Sequence, residues 1–395
     1  MSSPERPPRE TRPRDSHAAG GARKSPRGSA GLAVVALLVG ITYAKVHFAG
    51  EPPPAASSRA AVEGGILPAE EDYYAVDVVD ADHVWIVGSY GAAILLGERG
   101  RKAELRAPAV REPLFCVSFR DPSTGVVGGR GGLILRTTDG GRSWSPVAPG
   151  SVKENVLGFA RSHDPRRLWA VGPVGMLLRS TDDGVTWEDR SLGKDVTLNA
   201  VTFVDDQEGW VVGEFGTILH TEDGGETWQR SEEITGLPPY VEDVTEEVAL
   251  RVGIPPLSKE DLYLFDAAFV TPDAGYVVGA GGFVLTTADR GRHWAAARAG
   301  TRNTLFKVLP TPIGGLMATG VLGTVVHHRG EGWAADEEIS HRLFTWIRGA
   351  DFSADGALGV IVGGRAAVLL SRDRGETWES LPRERLAAAL PGRSS

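Results

Sequence analysis

The sequence predicts an all-β protein: a seven-bladed β-propeller with an N-terminal transmembrane helix and a disordered N-terminal tail. A short β-rich phrase that ends in Val-Gly, or a near equivalent, and continues into an apolar strand occurs seven times between Val84 and Gly363. A period of roughly 40–45 residues that carries four short strands is the length of one propeller blade, and seven blades lie within the usual range for a closed ring. The steps between copies are 40, 44, 41, 66, 41 and 43 residues, measured between Gly88, Gly128, Gly172, Gly213, Gly279, Gly320 and Gly363.

Residues 1–30 are predicted to be a disordered basic cytoplasmic tail. They are rich in Pro, Arg and Ser and show no apolar periodicity. Such a segment cannot bury enough apolar surface to offset the entropy lost when the chain is ordered.

Residues 31–49 are predicted to be a transmembrane signal anchor, because these 19 residues are mostly apolar and long enough to cross a bilayer as a helix. Arginines outnumber acidic residues upstream of the run, and the positive-inside rule then keeps the N-terminus in the cytoplasm. The propeller is therefore expected in the periplasm or outside the cell. The alternatives are a signal peptide cleaved near Thr42–Ala44 and a buried core helix, which is disfavoured because nothing nearby in the sequence could cover it.

The remaining segments follow from composition and from the long step between repeats. Residues 50–69 form a Pro/Ala-rich linker, residues 70–385 the propeller and residues 386–395 a C-terminal tail. The 66-residue step indicates an inter-blade insertion at residues 231–262, in which 241–252 has the apolar spacing of a short helix. Because the insertion joins two blades, we expect it on the face of the strand 2–3 turns, as a channel cover or partner contact. The alternative is a neutral decoration.

Charge and cysteine content restrict the function. The chain carries a net charge of −9, and the acidic excess lies entirely beyond the basic tail. An acidic exported domain is a poor binder of nucleic acid. The single cysteine, Cys116, allows no internal disulfide, and its apolar neighbours predict that it packs as a small apolar residue rather than reacting.

Five repeats continue into the pattern Ser/Thr-x-Asp-x-Gly-x-x-Trp, the Asp-box. The Asp side chain can accept hydrogen bonds from the following backbone N–H groups, the Gly permits a positive φ, and the Trp can fold over the turn. We interpret these residues as structural staples between strands 3 and 4. The alternative, a catalytic or calcium-binding set, is disfavoured because calcium needs several oxygens from one loop, so no metal is predicted. The residues are Asp139, Asp182, Asp223, Asp289 and Asp373, with Trp144, Trp187, Trp228, Trp294 and Trp378.

The combined phrase GWVVGEFGTILHTEDGGETW from Gly209, and its copies between Tyr73 and Pro382, resembles the photosystem II stability/assembly factor family of BNR/Asp-box repeat seven-bladed propellers. The resemblance implies an exported, non-enzymatic factor that binds newly made membrane proteins during complex assembly. It therefore implies a membrane protein or membrane-complex subunit as the partner and no cofactor.

The turns between strands 2 and 3 are predicted to hold partner-binding residues. Arg130 and Arg365, with Tyr90 and Phe215, are expected around the mouth of the channel. Arginine and aromatic residues are the types that dominate binding hot spots, and arginine pairs with carboxylates or phosphates. The alternative is that all four are solvated turn residues.

The alternative function is a glycoside hydrolase or sialidase-like enzyme of the Asp-box class. Such an enzyme needs a pair of carboxylates, or an arginine triad that holds a substrate carboxylate together with a Tyr nucleophile. No arginines fall at matching inner positions of three blades, so the sequence predicts no catalytic residues. Acidic residues that could reach the channel, but whose spacing indicates no pair, are Asp77, Asp80, Glu214 and Asp266.

Overall fold

A computed structural model describes residues 71–387, except residues 148, 151, 240–244, 253–256, 331 and 341–342. The described residues form the predicted seven-bladed β-propeller, with one sheet per blade; six sheets have four antiparallel strands, and the sheet of blade 5 has a fifth strand that pairs in parallel. The predicted tail, signal anchor and linker lie outside the described residues. Among the described helices, none has both the length and the apolar character needed to span a bilayer.

The blades follow one another along the chain, and the first strand of each four-stranded run is the innermost, because these strands contact one another around the ring. Blades 1 and 2 contain β1 (Tyr73–Asp80), β2 (His83–Gly88), β3 (Ala93–Gly97), β4 (Lys102–Leu105), β5 (Leu114–Phe119), β6 (Gly125–Gly129), β7 (Ile134–Thr137) and β8 (Ser145–Pro146). Blades 3 and 4 contain β9 (Gly158–Arg161), β10 (Leu168–Val171), β11 (Leu177–Ser180), β12 (Glu188–Asp189), β13 (Leu198–Phe203), β14 (Gly209–Gly213), β15 (Ile218–Thr221) and β16 (Gln229–Arg230).

Blade 5 has five strands and the last two blades have four each. Blade 5 contains β17 (Glu233–Thr235), β18 (Leu264–Phe269), β19 (Gly275–Gly279), β20 (Phe283–Thr287) and β21 (His293–Arg298). Blades 6 and 7 contain β22 (Leu305–Pro310), β23 (Leu316–Gly320), β24 (Val325–His328), β25 (Trp333–Ala335), β26 (Ile347–Phe352), β27 (Gly359–Gly363), β28 (Val368–Ser371) and β29 (Glu379–Ser380). The described part of the chain also contains three short α-helices: α1 (Glu246–Val252), α2 (Glu337–Ser340) and α3 (Arg383–Ala387).

The two faces of the ring carry different turns. The first strand of a blade begins, and its second strand ends, at the same face, as the pairing of Tyr73 with Gly88 shows. This face, which we call the mouth face, carries the strand 2–3 turns and the connections between blades. The opposite face, the Asp-box face, carries the turns between strands 3 and 4. Because β1 begins at Tyr73, the chain enters the propeller on the mouth face.

The anchor glycine of blade 2 differs from the sequence-based assignment. Gly129 pairs with Leu114 as Gly88 pairs with Tyr73, so Gly129 and not Gly128 is the equivalent residue. The two adjacent glycines made the register ambiguous by one residue. The strand 2–3 turn of this blade is consequently Arg130–Gly132, and Gly131 rather than Arg130 is the counterpart of Tyr90.

The apolar core is divided into seven clusters, and each lies between two neighbouring blades. A single blade is too thin to cover both of its apolar faces, so closing the ring is what removes them from water. Three of the four fully buried tryptophans come from second strands. Trp85, Trp169 and Trp210 are fully buried and stack on the phenylalanines Phe119, Phe203 and Phe269.

Among the described residues, blades 1 and 7 exchange no strand, since each is built from one continuous stretch of chain. Their shared cluster includes Tyr73, Leu370 and Leu386. Leu386 belongs to α3, which packs near β4 of the first blade. The propeller boundary predicted at residue 385 therefore falls inside this helix, and the buried fold extends at least to Leu386.

The insertion at residues 231–262 begins as a fifth strand rather than as a free loop. β17 pairs in parallel with β21 at the outer edge of blade 5, and Ile234, Leu237 and Leu257 pack against the apolar cluster of that blade. β17 runs towards the mouth face, as β21 does, so the rest of the insertion starts on that side. The predicted helix is present as α1, but residues 240–244 lie outside the described residues. Its contact with a partner stays a prediction.

Candidate functional site

One residue from each blade lines the mouth of the central channel. It is the second residue of the innermost extended segment of its blade. We call these seven residues the collar. They surround a cavity of about 150 Å³. Five of the seven side chains are apolar or aromatic, one is an amide and one is cationic. The collar consists of Tyr74, Phe115, Leu157, Asn199, Phe265, Phe306 and Arg348.

Aromatic contacts hold parts of the collar in place. The ring of Tyr74 is stacked on that of Trp346, with centroids 5.6 Å apart, and it lies 5.5 Å from the ring of Phe115. On the other side of the channel, the rings of Phe265 and Phe306 meet edge to face at 5.2 Å. Offset and edge-to-face pairs of this kind stabilise ring positions by about 1 kcal/mol each. The collar is therefore a preformed aromatic surface.

Immediately beyond the collar, small residues leave room and charged residues face one another. Ala75, Gly158, Ala200 and Gly349 line this level of the cavity. Lys307 lies 3.0 Å from a carboxylate oxygen of Asp266. Burial disfavours the charged amine, but the Asp266 carboxylate outweighs it and raises the pKa of Lys307. Lys307 is therefore a cation inside the channel.

Two further buried carboxylates belong to the innermost strands. Asp77 accepts a hydrogen bond from the backbone N–H of Phe119, and Asp351 accepts one from that of Val78. Burial raises the pKa of both carboxyl groups, and the negative charge of Asp351 adds to the rise at Asp77. Because each carboxylate binds the backbone of the next blade, these residues act as braces between blades.

The remaining acids that were considered for catalysis also have structural partners. Asp266 accepts a hydrogen bond from the backbone N–H of Val308, and Glu214 accepts one from that of Thr197. Asp80 lies 2.9 Å from a ring nitrogen of His83 in the same hairpin. The site therefore lacks the isolated, converging carboxylate pair of a glycosidase among the acids that the sequence proposed.

The strand 2–3 turns place two consecutive residues per blade in the left-handed region of backbone space. At the first of these two positions, the five residues that are not glycine have φ between 54° and 58°. Bulky side chains are disfavoured there by roughly 1–2 kcal/mol. Four nevertheless carry apolar side chains that are 43–63% exposed, and we call these four the rim: Tyr90, Val174, Phe215 and Leu322.

The four residues predicted to bind a partner all lie on the mouth face and are exposed. Tyr90, Phe215 and Arg365 occupy the same turn position in blades 1, 4 and 7, whereas Arg130 is the preceding turn residue in blade 2. Four different blades carry them, so they are separate points around the face rather than one cluster. The sequence analysis identified two of the four rim residues, Tyr90 and Phe215. It missed the collar, although the repeat would have allowed the equivalent position of each blade to be identified.

The five Asp-box turns have the geometry that the sequence predicted. In blade 4, Asp223 accepts hydrogen bonds from the backbone N–H of Thr227 at 2.9 Å and from its hydroxyl at 2.6 Å. The hydroxyl of Thr221 donates to the same carboxylate, and the N–H of Gly225 donates to that hydroxyl. The other four boxes repeat the backbone hydrogen bond, and three of them repeat the hydroxyl bond, whereas in blade 5 the imidazole of His293 takes the place of the hydroxyl.

These hydrogen bonds determine the electrostatics of the boxes. The hydroxyl of Ser143, followed by its backbone N–H, lowers the pKa of Asp139 to about 2. The Asp-box tryptophans pack against the preceding blade, as Trp144 does when its Nε1–H donates to the carbonyl of Arg106. Among the described residues, no three His, Cys, Asp or Glu side chains are grouped closely enough to hold a metal ion. The Asp-box carboxylates therefore accept hydrogen bonds within their own turns and act as structural staples.

A second acidic residue of the blade 3 box forms a cluster that the sequence did not predict. Asp183 is only 5% exposed, and its carboxylate lies 2.9 Å from a guanidinium nitrogen of each of three arginines. These are Arg120, Arg136 and Arg161, which come from blades 2 and 3. The three arginines lie 22 to 63 residues from Asp183, so no local motif marks them. An arginine triad does exist, but the chain's own carboxylate fills it.

The only cysteine, Cys116, lies in the innermost strand of blade 2 and is buried. Its thiol donates to the carbonyl of Val156, 3.5 Å away in blade 3. Burial raises the pKa of the thiol, so the reactive thiolate is disfavoured. This placement agrees with its prediction as a packing residue.

Comparison with known proteins confirms the predicted resemblance. The family model described as photosynthesis system II assembly factor YCF48 matches residues 150–252, about a quarter of the chain. No curated protein matches the sequence.

Solved structures match over the propeller. A structure of YCF48 bound to a D1 peptide has a TM-score of 0.51 and 18% identity, and the match covers 69% of this chain and 83% of that one. YCF48 from Cyanidioschyzon merolae has a TM-score of 0.48 and 22% identity, with 68% and 85% covered. The RRP9 WD40 repeats have a TM-score of 0.55 and 13% identity, with 74% and 88% covered. At these identities the matches with TM-scores above 0.5 show the propeller fold.

Proposed function

We propose that this chain, a YCF48-like propeller of the BNR-repeat type, is a non-enzymatic factor that binds a segment of a membrane protein on its mouth face during the assembly of a membrane complex. One observation carries the proposal. The rim exposes four large apolar side chains from backbone positions that disfavour them, and all four are on one face. Strain kept at exposed apolar positions is typical of a binding surface.

The chemistry of the mouth face fits a protein partner. Aromatic side chains and arginines dominate the binding energy of protein interfaces, and here the collar and rim aromatics share the mouth face with Arg130, Arg348 and Arg365. The relative that was solved with a D1 peptide shows that a propeller of this type can hold a peptide. We extend that property to this chain.

The way the chain enters the propeller fits a partner at a bilayer. Residues 1–70 lead into the mouth face, because β1 begins there. With the signal anchor at residues 31–49 and the linker at 50–69, the propeller would lie outside the cytoplasm. Twenty linker residues reach at most about 70 Å when fully extended. The mouth face would therefore stay within reach of membrane-protein segments at the bilayer surface.

The alternative, a sialidase-like hydrolase, is less well supported by the geometry. The arginine triad that would hold a substrate carboxylate is filled by Asp183. The acids near the channel bind backbone N–H groups, as Asp266 and Asp77 do. A hydrolase would need these groups free to contact substrate and water.

Affinity capture from native membranes tests the proposal with the full-length chain as bait. The test variant is Tyr90→Asn combined with Leu322→Asn, because Asn tolerates a positive φ and should leave the fold intact. The matched control is Val185→Asn, at an apolar residue on the Asp-box face that is 49% exposed. We expect wild type and the control to retain a membrane protein that the rim variant loses. Equal capture by all three baits would overturn the docking role of the mouth face.

Two further measurements test the rest of the proposal. A reporter enzyme that is active only outside the cytoplasm, fused after Ser395, should be active, and an inactive fusion would contradict export. Glycoside turnover that disappears in Asp266→Asn, while capture recovers no membrane protein, would instead establish the hydrolase.

A further inference from the structure

We propose that one sector of the mouth face rests on the surface of a lipid bilayer, and that an apolar corner formed by Leu322 and Phe344 inserts into the lipid. This inference goes beyond the proposed function, because it names lipid as a second ligand of the mouth face. It rests on the proposed membrane anchor for the position of the bilayer.

The two residues of the corner come from adjoining backbone segments. Leu322 is in the strand 2–3 turn of blade 6, and Phe344 is in the connection that leads into blade 7. The backbone N–H of Gly323 donates a hydrogen bond to the carbonyl of Thr345, which holds the turn against the connection. Leu322 is 62% exposed and Phe344 is 76% exposed. Two large apolar side chains therefore extend into water from neighbouring points of the mouth face.

The equivalent positions of the other blades show that the repeat does not require this corner. Phe344 lies three residues before Ile347, where the innermost segment of blade 7 begins. At the same position, the other described blade entries carry exposed charged residues: Arg111, Lys153, Asp195, Asp261 and Arg302. A charged side chain is well solvated there, whereas a phenylalanine loses free energy in water. Single exposed apolar residues are common, but an adjoining pair at the one departure from a charged position indicates a contact surface.

The distribution of aromatic side chains favours a bilayer as the ligand. The large exposed aromatic residues among the described ones are Tyr90, Phe215 and Phe344, and all three are on the mouth face. The Asp-box face exposes aliphatic side chains instead, namely Val185, Val270 and Ile313. Aromatic side chains are enriched where proteins meet the interface between lipid and water.

The place where the chain enters the propeller identifies the sector that would face the lipid. The carboxylate of Asp72 accepts a hydrogen bond from the backbone N–H of Arg365, so the entry lies at the junction of blades 7 and 1. The corner lies at the junction of blades 6 and 7, on one side of this entry, and Tyr90 in blade 1 lies on the other side. An anchor at residues 31–49 would therefore hold these exposed apolar side chains, rather than those of blades 3 and 4, next to the bilayer.

Charge does not supply the attraction to lipid. The turns and connections around this sector carry exposed groups of both signs, for example Arg365 and Arg383 against Glu337 and Glu338. Among the described residues of the sector, acidic groups are at least as numerous as basic ones. Anionic headgroups would therefore add no net attraction, and the contact has to come from insertion of apolar side chains. We expect it on zwitterionic phosphatidylcholine and independently of salt.

Quenching of a fluorescent dye by lipid tests the inference with the full-length chain reconstituted into phosphatidylcholine vesicles. The dye is attached to the new cysteine of Phe344→Cys. The matched controls are Lys153→Cys and Asp195→Cys, at equivalent positions on the opposite side of the ring. Cys116 is buried and stays unlabelled. We expect brominated acyl chains to quench the dye at position 344 at least about twofold more than either control dye, with or without added salt.

A reporter outside the corner tests whether the corner drives the contact. The dye is attached through Arg111→Cys, in the connection that packs against the turn of Tyr90. Combination with Phe344→Ser should lower the quenching of this reporter by about twofold or more, and Phe344→Leu should retain most of it, because leucine also partitions into lipid. Val185→Ser, on the Asp-box face, is the control and should change nothing. Circular dichroism establishes that each variant keeps its sheet content.

The inference is overturned if the dye at position 344 is quenched no more than the control dyes, or if Phe344→Ser leaves the reporter unchanged. Shielding of the dye at position 344 only when the captured membrane protein is present would also overturn it, and would assign the corner to the protein interface.

The outcomes also separate this inference from the proposed function. If lipid quenches the dye at position 344 but wild type captures no membrane protein, the lipid contact stands and the assembly role fails. If wild type captures a membrane protein while that dye stays in water, the assembly role stands and the lipid contact fails.

Discussion

The carboxylate of Asp351 in the last blade accepts a hydrogen bond from the backbone N–H of Val78 in the first blade, at 2.7 Å. The same kind of bond joins Asp77 to Phe119 and Asp266 to Val308 between other neighbouring blades. A buried carboxylate on an innermost strand thus braces the next blade at three of the interfaces around the ring. This arrangement keeps negative charge inside the channel and connects ring stability to pH.

Raising the pH should destabilise the propeller through Asp77 and Asp351. Burial raises the pKa of both groups in the folded state, with the Asp351 charge as a further cause at Asp77. A folded-state pKa above the unfolded one means that the folded protein binds more protons. Their stabilising contribution is therefore present below the ordinary carboxyl range and is lost as the pH rises towards and through neutrality.

Asp77→Asn tests this, because the amide oxygen can still accept from Phe119 while the charge is gone. The drop in Tm between about pH 5 and pH 8 should be smaller in the variant by about 3 °C or more, since one pKa unit corresponds to about 1.4 kcal/mol. Burial also raises the pKa of Glu71, to about 7, so Glu71 lowers the stability over the same pH range. Part of the drop in Tm should therefore persist in the variant. The control Glu260→Gln, at an exposed acidic residue, should show the same drop in Tm as wild type. If Asp77→Asn also shows the wild-type drop, the prediction is refuted.

Removing the carboxylate of Asp183 should be costly. Asp183→Ala leaves three partly buried guanidinium groups without their shared partner, and losing one member of a buried ion pair costs about 3–5 kcal/mol. Chemical unfolding should show a loss of that size. Arg120→Ala is the comparison and should cost less, since two arginines still hold Asp183 and Arg120 is the most exposed of the three. Sodium formate should restore part of the loss in Asp183→Ala and none in Arg120→Ala.

Two glycines with similar backbone angles separate conformational strain from packing. Gly225 has φ +79°, and a Cβ placed there would lie 2.3 Å from the ring of Trp169 in the preceding blade. Gly131 has φ +68°, with open space around it. Gly131→Ala should therefore cost only about 1 kcal/mol, the price of the left-handed backbone, whereas Gly225→Ala should cost at least about 1–3 kcal/mol more from overpacking. Equal losses in thermal unfolding would mean that the blade interface adjusts freely.

Calcium should not stabilise the Asp-boxes. The oxygens of Asp223 already accept hydrogen bonds from Thr227 and Thr221, so a cation would have to displace them. We expect Tm to be the same in millimolar calcium and in EDTA, and Asp223→Ala to lower it in both. A rise in Tm with calcium that Asp223→Ala abolishes would show a metal site instead.

The repeat predicted most of the fold because the turns of each blade are stabilised by hydrogen bonds between residues that are close in sequence. Thr221, Asp223 and Gly225 lie within five residues, and their bonds are local, so the turn and its hydrogen bonds could be read directly. The same locality explains the error at Gly128, because two adjacent glycines satisfy the pattern equally well. The pairing of the second strand of the blade with its first strand decides which of the two glycines is equivalent to Gly88, and only the structure shows this pairing.

The features that sequence reasoning missed depend on contacts between blades. The arginines around Asp183 come together across two blades, and β17 joins a sheet whose other strands begin some thirty residues later. The collar is intermediate, since its residues recur once per blade, but only the ring shows that Tyr74 and Phe306 face one channel. Local motifs predict turns and strands, whereas converging side chains require the closed architecture.

The seam between blades 1 and 7 has a mechanical consequence. The described chain begins at Glu71, whose carbonyl accepts a hydrogen bond from Ala366, and it ends in α3, whose Leu386 is buried in the same seam. A pull on the polypeptide that precedes Glu71 would therefore act on this junction before any other, and no strand exchanged between blades 1 and 7 within residues 71–387 would resist it. The helix α3 at the end of the described residues then holds this junction closed, and a variant that ends before Arg383 would loosen the ring where tension arrives.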